Sequence, residues 1–108
     1  NEVTINATAT FTSDDVYLGR RTTIGLWYQA TSASGTADVK IELEQSYDQT
    51  DANFVVPESG GLVVSSVTDE LAHVQGMNVA PMTHLRVKVT GNAANPADTV
   101  CNVQIFLQ

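Results

Sequence analysis

Twelve carboxylates, two histidines, one cysteine and one tryptophan carry most of the chemistry open to this 108-residue sequence. The carboxylates gather in loops. Asp48, Asp51 and Asn53 fall within the polar run 47–53, and Asp14 and Asp15 form a second cluster. Calcium takes about six to eight oxygen ligands, and loop carboxylates, amides and carbonyls can supply them. The spacing is not that of an EF-hand loop, however, and Asp and Asn are routine in turns because they bond neighbouring backbone. Asp48, Asp51 and Asn53 are thus the calcium candidates, weighed against a solvated turn. No cofactor is expected.

His73 and His84 stand eleven residues apart, without the His-x-His or His-Glu-x-x-His spacing that sets two imidazoles on one metal. They read as surface or interface histidines, where protonation near a pKa of about 6.5 would add charge to a subunit contact. No Gly-x-Ser-x-Gly elbow exists for a serine nucleophile. Cys101 lies in phase with apolar neighbours, and such burial suppresses the reactive thiolate. Glu42 and Glu44 share one face of a strand, with Cβ atoms about 6–7 Å apart, as a general acid/base pair would require. Lacking an apolar neighbour to raise one pKa, they read as a solvated face that blocks edge aggregation. No catalytic residues are assigned, and the chain is expected not to be an enzyme.

Sugar binding has a better candidate pair. Trp27 is out of phase with Ile24, Leu26 and Tyr28, so an ideal strand would turn it away from their side. Trp27 with Tyr28 could stack a sugar ring; the competing reading packs Trp27 in the core.

The elements positioning these residues follow a period of two. Val3, Ile5, Ala7, Ala9 and Phe11 alternate with Thr4, Asn6, Thr8 and Thr10, which predicts one long first strand ending at the turn Ser13, Asp14, Asp15. A second strand spans 22–30, with Ile24, Leu26, Tyr28 and Ala30 in phase. A third spans 37–44, where Ala37, Val39, Ile41 and Leu43 interleave with Asp38, Lys40, Glu42 and Glu44. The Gly-containing connector 31–35 predicts that these two form a hairpin. Phe54, Val55 and Val56 make a short apolar segment stopped by Pro57 and by Gly60 and Gly61. Residues 62–67 are strand-like, 68–71 could open one helical turn, and 72–79 read as strand or irregular structure. Leu85, Val87 and Val89 alternate with Arg86, Lys88 and Thr90; after the turn-rich loop 91–98, Cys101, Val103, Ile105 and Leu107 close the pattern. The fold class is therefore all-β: a single domain over 1–108, an antiparallel β-sandwich of about seven or eight strands, jelly-roll-like or immunoglobulin-like.

A net charge of −7 with only five Lys and Arg disfavours nucleic acid, because an anionic surface repels phosphate and has few cations to displace its counterions. It equally disfavours anionic lipid, and no apolar run is long enough to span a membrane as a helix. With one cysteine, no internal disulfide can form, which favours assembly in a reducing cytoplasm.

Short strands, Thr/Ala/Val-rich composition and an acidic surface mark the chain. So does the closing stretch from Pro81, Met82, Thr83 and His84 through Gly91 to the loop with Asn95, Pro96, Ala97 and Asp98. In this style it resembles the small β-sandwich and jelly-roll proteins that decorate or cement tailed-bacteriophage capsids. The resemblance implies a non-enzymatic virion protein assembled in the host cytoplasm, partnered with capsid or other virion proteins, and forming a closed homo-oligomer such as a trimer. Such a protein buries one face on a shell and leaves the other solvated. The first strand and the loops 31–36 and 91–98 are its expected contact elements. The alternatives are a lectin-like module, which would be extracellular, and a subunit of a bacterial surface assembly.

Overall fold

The computed structural model describes residues 2–56 and 63–107. Among them are nine strands: β1 (Glu2–Ile5), β2 (Thr10–Thr12), β3 (Val16–Tyr17), β4 (Thr23–Thr31), β5 (Val39–Ser46), β6 (Val63–Val67), β7 (His73–Asn78), β8 (His84–Gly91) and β9 (Thr99–Leu107). A single 3₁₀ turn occupies Asp51–Asn53. One antiparallel sheet runs β1-β9-β4-β7 and the other β2-β8-β5-β6, with β3 following β2 along the same edge of β8.

The break between β2 and β3 has a local cause. The Ser13 hydroxyl accepts the Val87 amide at 2.9 Å, taking the place of a backbone carbonyl, and Asp14 and Asp15 loop outward before pairing resumes at Val16. Counting β2 and β3 as one interrupted strand leaves eight. They pair first with last, second with seventh, third with sixth and fourth with fifth. That nested order is a long hairpin rolled into two sheets, the jelly roll, rather than the immunoglobulin arrangement.

The core lies between the sheets. Ile24, Leu26, Tyr28 and Ala30 of β4 and Cys101 and Val103 of β9 face Val39, Ile41 and Leu43 of β5 and Leu85, Val87 and Val89 of β8. Alternation over these four strands puts their intervening residues outside.

Three expectations are corrected. The first strand is not continuous: Ala7 adopts φ +50°, the chain crosses from one sheet to the other, and Ala7 and Ala9 are exposed. Apolar alternation through two alanines carries too little burial to hold a strand straight across the gap. The second and third long strands do not form a hairpin, because β4 and β5 belong to different sheets and the chain between them is a crossover. The helical turn at 68–71 is absent: Asp69 Oδ1 accepts the Leu71 amide at 3.1 Å in an Asx-type turn, and Glu70 adopts φ +60°. Residues 73–78 do form a strand, as one of the two readings of 72–79 had it. The expected stops at Pro57, Gly60 and Gly61 lie outside the described residues.

One end of the sandwich is tied by a buried side chain. Asn95 Nδ2 donates to Ile5 O (3.1 Å) and Ala7 O (2.8 Å), while its Oδ1 accepts Asp38 N (3.0 Å) and Thr99 Oγ1 (2.7 Å). Beside it, a Cβ on Gly91 would lie 1.6 Å from Ala7 O, so only glycine lets the two backbones meet there.

Candidate functional site

The two outer faces differ in kind. On the β5–β8 face, Glu42 stands opposite Lys88 and Glu44 opposite Arg86. Lys40 Nζ lies 3.8 Å from Glu42 Oε2, and Arg86 Nε donates to Glu44 Oε1 at 2.9 Å. Glu44 is thus buried under its partner rather than solvated, which corrects the expectation of an open carboxylate pair. A buried carboxylate needs such a partner, since leaving it unpaired would cost several kcal/mol.

The Arg86 guanidinium also sits 4.2 Å over the Phe54 ring and donates to Asp51. Asp48 is spoken for as well. Its carboxylate accepts the Thr50 amide (2.9 Å), Asn53 Nδ2 (3.0 Å) and the Ser46 hydroxyl (3.2 Å). These bonds, the Thr50 amide first, hold its carboxyl below the usual carboxylate range. The three calcium candidates are therefore neighbours, but Asp51 is turned to a guanidinium, and Asn53 presents its amide nitrogen to Asp48. Among the described residues no cluster of three His, Cys, Asp or Glu could hold a metal ion.

The histidines are held apart on different sheets. His73 on β7 stacks on Tyr28 (centroids 5.1 Å apart) and lies 3.0 Å from Asp69 Oδ1. His84 on β8 places Nδ1 2.9 Å from Asp15 Oδ2, while Gln49 Nε2 donates to that same carboxylate oxygen at 3.0 Å. The hydrogen bond from Gln49 foremost, then one from its own backbone amide and the neighbouring His84, lower the Asp15 pKa. Cys101 is fully buried in the core, and desolvation pushes its thiol up to about 11.

The outer face of β1-β9-β4-β7 is of another character. Trp27 lies on it, half-buried, as its phase predicts. Tyr28 points the other way and is only 7% exposed, so the two cannot form one stacking platform; adjacent residues of a straight strand face opposite sides. Across the ladder from Trp27 stand Val74, 81% exposed, and Gln104. The next row joins Phe106, 53% exposed, to Gly25 and Gly76, which leave the backbone bare. Around them the outward positions carry amides and hydroxyls, among them Gln29, Asn102 and Thr31. The only charged outward residue on this face, among those described, is Glu2 at its edge.

Val74, Phe106 and the glycine row are absent from the sequence-derived site. Phe106 had the same signal as Trp27, a large apolar side chain out of phase with its strand. The loops 31–36 and 91–98 do come together: Ser32 and Ser34 hydroxyls both donate to Asp98 Oδ1, at 2.6 and 2.7 Å. No helix of the described residues is long and apolar enough to cross a membrane. Neither a family model nor a curated protein matches this sequence.

Proposed function

We propose that this chain is a non-enzymatic structural protein of a virion. In this reading it lays the outer face of the β1-β9-β4-β7 sheet on a capsid shell, as a homo-oligomer that reinforces it. The observation that carries the proposal is the asymmetry of the two faces. On a chain of net charge −7, one face carries the ion pairs Lys40–Glu42 and Arg86–Glu44, and the other is almost free of charge and carries Trp27, Val74 and Phe106. A face without charges loses little on desolvation, and aromatic residues amid amides and hydroxyls suit a wet, extended interface. The charged face stays in water and keeps the particle soluble.

Co-sedimentation with virion shells from the protein's own source tests this. Binding is expected, with a blue shift in the emission of Trp27, the only tryptophan. Val74→Glu, exposed and outside the core, should weaken it at least tenfold. Failure to sediment with any shell, or binding indifferent to Val74→Glu, overturns the proposal.

A second reading is favoured by one feature, the bare Gly25–Gly76 row beside Trp27, which would admit a flat ring onto the indole. It makes the chain a lectin-like module with Trp27, and without Tyr28, as its stacking plane. Glycan binding abolished by Trp27→Ala, in a chain that ignores shells, would establish it.

A further inference from the structure

Where β5 ends, the inward row of that strand changes character. Val39, Ile41 and Leu43 are buried and apolar, but Gln45, next in the row, is a buried amide. Its Nε2 donates to Ala80 O (3.0 Å) and Thr83 Oγ1 (2.6 Å), and the buried Thr83 hydroxyl donates in turn to Ala80 O (2.8 Å). Beside Gln45, Val55 is fixed by a two-way backbone bridge, at 2.8 and 3.1 Å, yet stands 59% exposed. Tyr47, one residue past the strand, is 78% exposed. The two leave apolar area in water that a ligand would gain by covering.

An open cleft of about 380 Å³ lies between these groups, within the size range of small-ligand pockets. Asp48 and Asn53 form its polar side, and Asp48 is the only charged residue lining it among those described. The side-chain donors of the cleft are already engaged. Those of Gln45 and Thr83 hold Ala80, the Ser46 hydroxyl donates to Asp48 Oδ1 (3.2 Å), and Asn53 Nδ2 donates to Asp48 Oδ2 (3.0 Å). The acceptors are not. A carboxylate offers about four lone-pair sites and an amide oxygen two. The Thr50 amide and the Ser46 hydroxyl converge on Asp48 Oδ1, so Oδ2 keeps capacity, and Asn53 Oδ1 meets no donor among the described residues. The cleft therefore presents an aromatic ring, accepts hydrogen bonds and repels anions.

We infer that this cleft is a carbohydrate subsite, which takes a neutral sugar ring against Tyr47. The C–H groups on one face of the sugar meet the electron-rich face of the phenol ring, and Val55 covers apolar surface beside it. Sugar hydroxyls donate to Asp48 Oδ2 and Asn53 Oδ1, the first as a charge-assisted bond about twice as strong as a neutral one. Acidic sugars are turned away by the Asp48 carboxylate. Recognition of an organic cation surrounds it with several aromatic rings, and this cleft has one. The site belongs to the sheet opposite the one bearing Trp27, so it stands apart from the face proposed to meet a shell and holds whatever that face binds.

Amide chemical-shift titration of the whole chain tests the inference. The probes are glucose, galactose, mannose and N-acetylglucosamine with their β-linked disaccharides, and tetramethylammonium as a cationic control. At least one sugar should move the amides of Tyr47, Asp48, Asn53 and Val55 in a saturable way. Tyr47→Ala, at an exposed position, should weaken that binding at least tenfold and leave the melting temperature unchanged. Tyr47→Phe should retain it, because the ring rather than the hydroxyl makes the contact, and Trp27→Ala should have no effect. Silence from every sugar overturns the inference, as does binding that survives Tyr47→Ala. So does binding lost with Trp27→Ala, which moves the sugar to the outer face, and so does a response to tetramethylammonium alone, which makes the cleft a cation site.

Discussion

Asn95 uses its one carboxamide to join three parts of the fold: the β1–β2 crossover at Ile5 and Ala7, the approach to β5 at Asp38, and the start of β9 at Thr99. Two of these four bonds, to Ile5 O and from Thr99 Oγ1, are buried, and an unsatisfied buried polar group costs about 1–3 kcal/mol. Asn95→Ala should therefore lower unfolding free energy by about 3 kcal/mol, measured by urea denaturation. Asn95→Asp keeps the two acceptor bonds but loses both donated ones, so it should rescue little. Nothing in the sequence marks this residue, because Asn in a turn-rich loop is ordinary. Its value lies in partners at positions 5, 7 and 38. Trp27 is the opposite case: its own strand's phase puts it on the outer face, against the competing reading that packed it in the core.

Among elements, the long strands β4, β5, β8 and β9 were legible because each runs eight or nine residues and turns an alternating apolar face to the core. β1, β2 and β3 were not. They span four, three and two residues, and what divides them is a serine hydroxyl bonding a distant amide and an alanine with positive φ. Pairing order was likewise hidden, since the connector 31–35 looks like a hairpin loop while its strands part to opposite sheets. The crossover makes a prediction about glycines. Gly91→Ala drives a Cβ into the Ala7 carbonyl and should cost about 3 kcal/mol or prevent folding, whereas Gly76→Ala meets nothing within 4 Å. The latter should change stability by about 0.5 kcal/mol or less, both read as shifts in the denaturation midpoint.

For the whole molecule, stability should fall on both sides of neutral pH for separate reasons. Asp15, Asp48, Asp69 and Asp98 all have folded pKa values below the ordinary 3.8, set mainly by hydrogen bonds from Gln49, Thr50, His73 and Ser32 respectively. A depressed carboxylate contributes stability that is present above 3.8 and lost as pH falls through the folded value. Cys101 has the opposite sign. Its pKa rises from 9.0 to about 11, so its contribution is present below 9.0 and lost as pH climbs to about 11. At roughly 1.4 kcal/mol per unit, that loss is about 2–3 kcal/mol. Thermal unfolding followed from pH 2 to 11 should show both limbs, and Cys101→Ala should flatten the alkaline one relative to the parent chain. An alkaline limb unchanged by the substitution would assign it to other groups.

The nested pairing of the strands also governs how the molecule comes into being. β1 is made well before β9, its neighbour in the sheet. At a synthesis rate of about 5–20 residues per second, the opening strand waits several seconds for its mate. During that interval β4 has β7 but not β9, and β5 lacks β8 until residue 84 onward is out. Non-local closure of this kind places all-β folding on the millisecond-to-second scale, with apolar edges bare in the meantime. A nascent chain of this design is thus open to foreign strands until β9 arrives to pair with β1 and β4 together.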